Sequence, residues 1–208
     1  MSDFRSITPD NFPPIVKNLI IINVLVFVAT SLLDSRYMLT LRLAMWPVTS
    51  PLFQPYQIVT HMFTHGGFSH ILFNMFSLWM FGKILETVWG GKRFLLFYLI
   101  SGIGAAAAHL AVQYFMGGEG PAVGASGAIM GVLVAFGYLF PNTELFILFI
   151  PFPIKAKWVV IGYIAIDLFS GVARFSGDNI AHFAHLGGAL TGFILVLFWN
   201  KNDRRRFY

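Results

Sequence analysis

Six apolar runs, at 15–34, 69–89, 94–116, 125–140, 145–173 and 180–200, leave this chain few ways to fold. About 20 apolar residues coiled as a helix span the roughly 30 Å hydrocarbon core of a bilayer. Inside lipid no water satisfies the backbone, so such runs must form helices that close their own hydrogen bonds. Composition agrees. The 208 residues are 57% apolar and only 11% charged, whereas a soluble domain carries about 25% charged residues. The expectation is an all-α polytopic membrane protein with six transmembrane helices.

The runs also divide the chain. Residues 1–14 are polar and broken by proline, 15–200 form the membrane unit, and 201–208 are a basic tail. No small-residue cleavage site follows the first run, so it reads as an uncleaved span. The 125–140 run is short and rich in glycine, as expected of a helix wrapped by neighbours and reached through a sunken loop. The 145–173 run contains PFPIKAKW, which puts the start of its spanning part near Lys157. The 35–68 stretch, with Trp46, Pro47, Pro51 and Pro55, is too apolar for a solvated linker and reads as an interfacial segment. The absence of cysteine rules out a disulfide framework and thiolate metal sites.

Basic residues set the orientation. With six spans, one side holds Arg5, Lys17, Lys83, Lys92, Arg93, Lys155, Lys157, Lys201, Arg204, Arg205 and Arg206, and the other only Arg36, Arg42 and Arg174. Eleven against three predicts that both termini are cytoplasmic. The Arg204–Arg206 cluster then reads as a topology anchor, and no nucleic-acid role is expected.

Topology gives the polar residues a depth. His70 and Asn74 fall one turn apart near the outer end of the second span. Gly124, Ser126 and Gly127 fall at the outer start of the fourth, and His185 about 7 Å below the outer start of the sixth. Polar groups are costly in lipid, so their convergence on one cavity is the economical arrangement. A serine hydroxyl becomes a nucleophile when a histidine takes its proton. Asn and His side chains, and amides at a helix start, can stabilise the oxyanion formed on attack. Gly127 and Gly131, and Gly188 and Gly192, form two G-xxx-G pairs that would let the fourth and sixth spans pack closely and bring Ser126 to His185. Asp167, Glu86 and Glu119 are read as lying at other depths, which predicts a Ser–His dyad without a carboxylate. Asp167 reads as a helix–helix hydrogen bonder.

His61 and His65 at i, i+4, and His182 and His185 at i, i+3, have spacings that could grip a metal. With no acidic or thiolate ligand expected beside them, no metal and no cofactor is predicted. His61, His65 and His109 read as structural hydrogen bonders.

HGGFSHILFNM with His70 and Asn74, GASG with Ser126, and AHLGGALTG with His185 resemble, in that order, the rhomboid family of intramembrane serine proteases. The resemblance covers about residues 15–200. It implies Ser126 as nucleophile, His185 as general base, and an oxyanion hole of His70, Asn74 and the Ser126 amide, lined by Gly124. It also implies Glu86 as a structural acid, residues 35–68 as the family's first loop, and lateral access for single-span membrane substrates by the fifth span. Two positions depart from the family pattern. Tyr56-Gln57 stands where a Trp-Arg pair is common, and Met130 where some members place a tyrosine against the histidine. A nucleophile elbow of the α/β-hydrolase kind is excluded, because Ala128 replaces its last glycine.

Two other functions compete: a relative that binds membrane helices without cutting, and a small transporter using the histidines. The intact Ser126 and His185 speak against the first, and the lack of an internal repeat against the second. With no presequence evident, a bacterial inner membrane is expected, with the active site opening to the outer side. Oligomeric state is not legible.

Overall fold

The computed structural model describes residues 12–146, 152–173 and 179–202. The expectations for 1–11, Arg174 and 203–208 lie outside the described residues. The described residues are mostly helical, at 76%. Helix α1 is Pro14–Tyr37, followed by the short α2, Leu39–Leu43, and α3, Gln57–Thr60, which runs into a single 3₁₀ turn. Next come α4 (Phe68–Ser77) and α5 (Lys83–Trp89), joined by a π-helical stretch at Leu78–Gly82. Helix α6 is Gly91–Met116 and α7 is Ser126–Leu139. Helices α8, Ala156–Ala173, and α9, Asn179–Asn202, complete the bundle.

Among the described residues four helices are long and apolar enough to cross a membrane: Pro14–Tyr37, Phe68–Trp89, Gly91–Met116 and His182–Asn200. Helix α7 is shorter, as its glycine-rich sequence predicts, and its residues are almost all buried. It is the central post, with α6 and α9 packed against it. The outer helices turn Leu32, Phe73, Phe115 and Ile166 outward, apolar surface suited to lipid rather than to water.

Glycine sets how close the helices come. A Cβ on Gly188 would overlap the carbonyl of Gly127, and one on Gly192 would stand 2.6 Å from Gly131 Cα. The two G-xxx-G pairs thus interleave backbone on backbone. Helix α6 joins the same seam, where a Cβ on Gly131 would stand 2.6 Å from Ser101 Cβ.

Glu86 ties α1 to α5. Its buried carboxylate accepts the Ile15 amide at 2.9 Å and the Val16 amide at 2.7 Å. These are first-turn amides that the helix itself leaves unpaired, and a negative charge suits that end of the dipole. The structural role implied for this residue is thus seen as a specific cap.

The 35–68 segment folds onto the bundle and is anchored by Gln57, 1% exposed. Its Oε1 accepts the Gln54 amide at 3.1 Å, and its Nε2 donates to the carbonyls of Arg42 and Leu52, both at 3.1 Å. One neutral amide fastens the loop at the position where an arginine would sit in the family pattern. The connection before α8 adds a feature the sequence does not announce, a two-residue antiparallel pairing of β1 (Glu144–Leu145) with β2 (Ile154–Lys155). Helix α8 then starts at Ala156, beside the expected Lys157.

Candidate active site

Ser126 is the first residue of α7. The helix makes its first backbone bond from the Ile129 amide to Ala125 O, at 3.0 Å. The amides of Ser126, Gly127 and Ala128 are therefore the unpaired donors of a helix N-terminus. The residue before Ala125 is Gly124, held at φ +118°, a left-handed geometry that a side chain would strain. Its amide donates to His61 O at 2.9 Å, which pins the loop. A Cβ there would meet His70 Nε2 at 2.7 Å, so glycine is needed for conformation and for space alike.

Across the glycine seam, His185 on α9 meets the serine. Ser126 Oγ lies 2.8 Å from His185 Nε2, a full-strength hydrogen bond. The other ring nitrogen, Nδ1, faces Asp167 of α8, 3.2 Å from Oδ2 and 3.3 Å from Oδ1. A carboxylate can only accept, so His185 carries its proton on Nδ1 and leaves Nε2 bare to take the Ser126 proton. His182, one turn earlier on α9, also donates its Nδ1–H to Asp167 Oδ1, at 2.8 Å.

Asp167 corrects two expectations. The sequence reading put it at another depth and predicted a dyad; the structure brings its carboxylate, with a side chain only 6% exposed, against the His185 ring. The helix–helix hydrogen bond expected of it is present, but its partner is His185. The signal was in the count. Asp167 lies six residues before the end of α8 at Ala173, and His185 six residues after the start of α9 at Asn179. Two helices joined by a short connection carry such residues at equal depth, about 9 Å from it at 1.5 Å per residue. The second correction follows: the His182–His185 pair does have an acidic neighbour, and one ligand atom from each of the three lies within 4.8 Å of the others.

Ser126, His185, His70, Gly124 and Gly127 line one cavity of about 590 Å³. His70 stands 3.5 Å from the Gly66 amide through Nδ1, a long contact in which Nδ1 accepts. That leaves its Nε2–H on the side facing Gly124 and the cavity. Asn74 is one turn along the same helix but is not among the lining residues. Its Nδ2 donates to His70 O at 2.8 Å, and its buried Oδ1 has no partner. Gly131, Gly188 and Gly192 lie in the helix seam below the cavity. His61 and His109, read as structural, also line it. His65 packs edge-on against the His70 ring, with centroids 5.1 Å apart. Burial pushes both His61 and His65 down to about 4, so each is neutral at pH 7. Met130 sits with Val134 and Ala189 in a small apolar cluster between α7 and α9.

Known proteins show the family. Residues 52–201 match the Rhomboid domain. The chain is 33% identical over 152 residues to rhomboid protein 1, mitochondrial, of Saccharomyces cerevisiae, covering 69% of this chain and 42% of that protein. It is 32% identical over 156 residues to the human presenilin-associated rhomboid-like protein, mitochondrial, covering 74% of this chain and 40% of that one. The rhomboid protease GluP of Bacillus subtilis is 36% identical over 139 residues, 66% of this chain and 25% of that protein. The matched region is thus between a quarter and 42% of the length of these relatives. A domain match over most of the chain, with identities above 30%, makes this protein a member of the rhomboid family.

Proposed function

We propose that this protein is an intramembrane serine endopeptidase. The observation that carries the reading is the 2.8 Å bond between Ser126 Oγ and His185 Nε2 at the edge of a cavity that four histidines help to line. In this reading Ser126 Oγ attacks the scissile carbonyl while Nε2 of His185 takes its proton. The resulting imidazolium keeps its Nδ1–H on Asp167, so the new positive charge meets a buried negative one. The oxyanion receives the Ser126 amide and His70 Nε2–H. Asn74, which does not line the cavity, supports this hole through its bond to His70 O. Collapse breaks the C–N bond, and His185 returns its proton to the leaving amine. Water entering through the cavity then attacks the acyl-enzyme, again deprotonated by His185.

The same reading has six spans, both termini on the cytoplasmic side, and a cavity opening to the outer face. Its support is the distribution of basic residues and the position of Ser126 at the start of the buried α7. Substrates are single-span membrane proteins that arrive laterally and carry helix-destabilising residues in their outer segment, since a helix must open to present its amide. The bilayer is the working environment. A bacterial inner membrane is the proposed location; the relatives include a Bacillus subtilis protein beside the mitochondrial ones. A binding-only role is disfavoured, because a scaffold needs no serine hydrogen-bonded to a base that is itself oriented by a carboxylate.

The test is reconstitution into proteoliposomes with a single-span substrate of this kind. The wild type cleaves it, and Ser126→Ala and His185→Ala leave it intact. A wild type that binds the substrate without cutting it, or alanine variants that still cut, would end the protease reading. The chain lacks cysteine, so single cysteines introduced at Phe12 and Phe115 should react with impermeant reagents from opposite sides. Labelling from the same side would refute the topology.

A further inference from the structure

The proposed reaction uses one imidazole on Asp167, yet two are there. His182 and His185 both direct Nδ1 at the one carboxylate, at 2.8 and 3.2 Å. His182 is not among the residues that line the cavity holding Ser126, so the reaction gives it no task. Two imidazole nitrogens and a buried carboxylate oxygen, all within 4.8 Å of one another, are a ligand set suited to a borderline divalent metal. In a tetrahedral site with bonds of about 2.1 Å, neighbouring ligand atoms stand about 3.4 Å apart. The separations of 2.8 and 3.2 Å both fall short of that value, by about 0.6 and 0.2 Å, so the ligand atoms need only part slightly to admit the ion. That parting takes a small rotation of two imidazoles that are a quarter exposed or less. The backbone frame is α8 packed against α9, and a fourth position stays open for water.

We propose that Asp167, His182 and His185 form a zinc site that reversibly inhibits the protein. The inference rests on the protease reading for its consequence, though not for its geometry. A neutral imidazole has one proton for two nitrogens. A zinc ion takes the lone pair of His185 Nδ1, so the ring's one proton moves, by exchange with water, from Nδ1 to Nε2. That nitrogen then offers a donor to Ser126 Oγ and can no longer accept its proton. The exchange transfers no electrons, needs no partner beyond the ion and water, and is undone by chelation. Substrate binding is untouched, since the ion sits on the Nδ1 side of the His185 ring and Ser126 on the Nε2 side. Zinc should therefore lower kcat and leave KM alone.

The experiment uses full-length protein without a polyhistidine tag, stripped with EDTA and given Zn²⁺ at buffered free concentrations. Titration of Ser126→Ala, which cannot turn over but keeps all three ligands, should give one Zn²⁺ per chain. With Co²⁺ in its place the visible absorption of a tetrahedral site should appear. His182→Gln keeps an N–H for Asp167 but removes a metal ligand; it should cleave substrate within a few-fold of wild type and bind zinc on the order of 100-fold more weakly. The wild type should lose at least about 10-fold in kcat at saturating zinc, recover with EDTA, and show unchanged KM. The site is refuted if Ser126→Ala binds no zinc, or if His182→Gln binds it equally well. The inhibitory role is refuted if zinc binds and kcat does not fall. If metal-free wild type shows no proteolysis at all, the protease reading fails by itself and the titration still decides the site.

Discussion

The glycine seam between α7 and α9 fixes the distance on which the chemistry depends, so adding one methyl group to it should be costly. In Gly192→Ala the new Cβ would stand 2.6 Å from Gly131 Cα and 3.0 Å from Gly131 O. Carbon–carbon contacts are comfortable at about 3.5–4.0 Å, so the two backbones must part by about 1 Å. Gly192 lies seven residues, or two turns, beyond His185 on the same face. A rigid helix would carry much of that shift to the ring, stretching the 2.8 Å Ser126–His185 bond towards 3.8 Å and out of hydrogen-bond range. A misplacement of about 1 Å typically costs about 10²-fold in rate. Overpacking should cost about 1–3 kcal/mol of stability as well. The assay is kcat in proteoliposomes, with thermal unfolding in detergent followed in parallel. Gly162→Ala is the control: nothing lies within 4 Å of the added Cβ, and alanine favours the helix by up to about 1 kcal/mol, so activity should hold. Full activity in Gly192→Ala, with no loss of stability, would refute the claim that this seam sets the site.

Asp167→Asn should lower kcat by about 10²-fold or more, because an amide no longer favours Nδ1–H on His185, while KM for the substrate stays within a few-fold. A KM rise with normal kcat would instead mean a purely structural role. Glu86→Gln weakens the charged cap on Ile15 and Val16 and should lower stability by about 1–2 kcal/mol, read as detergent Tm, with little change in activity per folded molecule. His61 and His65 supply a pH dependence. Their folded values of about 4 lie below the unfolded 6.5, so acid protonates the unfolded chain first. Stability should fall as pH drops from 6.5 to 4, by up to about 3 kcal/mol for each, and level off below. His61→Phe should flatten that drop, and an unchanged slope would contradict the assignment.

Ser126 and His185 were legible because a membrane turns sequence position into depth. Once the spans were counted, three polar segments had one place to meet, and the G-xxx-G pairs named the helices that had to touch. The same arithmetic, carried around the connection between α8 and α9, would have found Asp167. Counted only from the expected start near Lys157, Asp167 lies ten residues up the span, and its match in depth with His185 does not show until the count runs back from Ala173. Asn74 marks a different boundary. Its identity and face could be read, but whether its amide bonds its own helix or points into a cavity is decided by rotamer competition, which residue type does not encode. Gln57 could be recognised as a departure and not as an anchor, since its four partners come from residues brought together only by the folded loop. The β1–β2 pairing is too short to leave a periodic trace.

The central claim is that Ser126 is a nucleophile activated by His185. Its most direct measurement is labelling of the detergent-purified protein with a fluorophosphonate, followed by mass-spectrometric mapping of the modified residue. The account predicts one phosphonyl group per chain, on Ser126, absent in Ser126→Ala and strongly slowed in His185→Ala. Labelling that maps to another residue, or that proceeds unchanged in either variant, would contradict it.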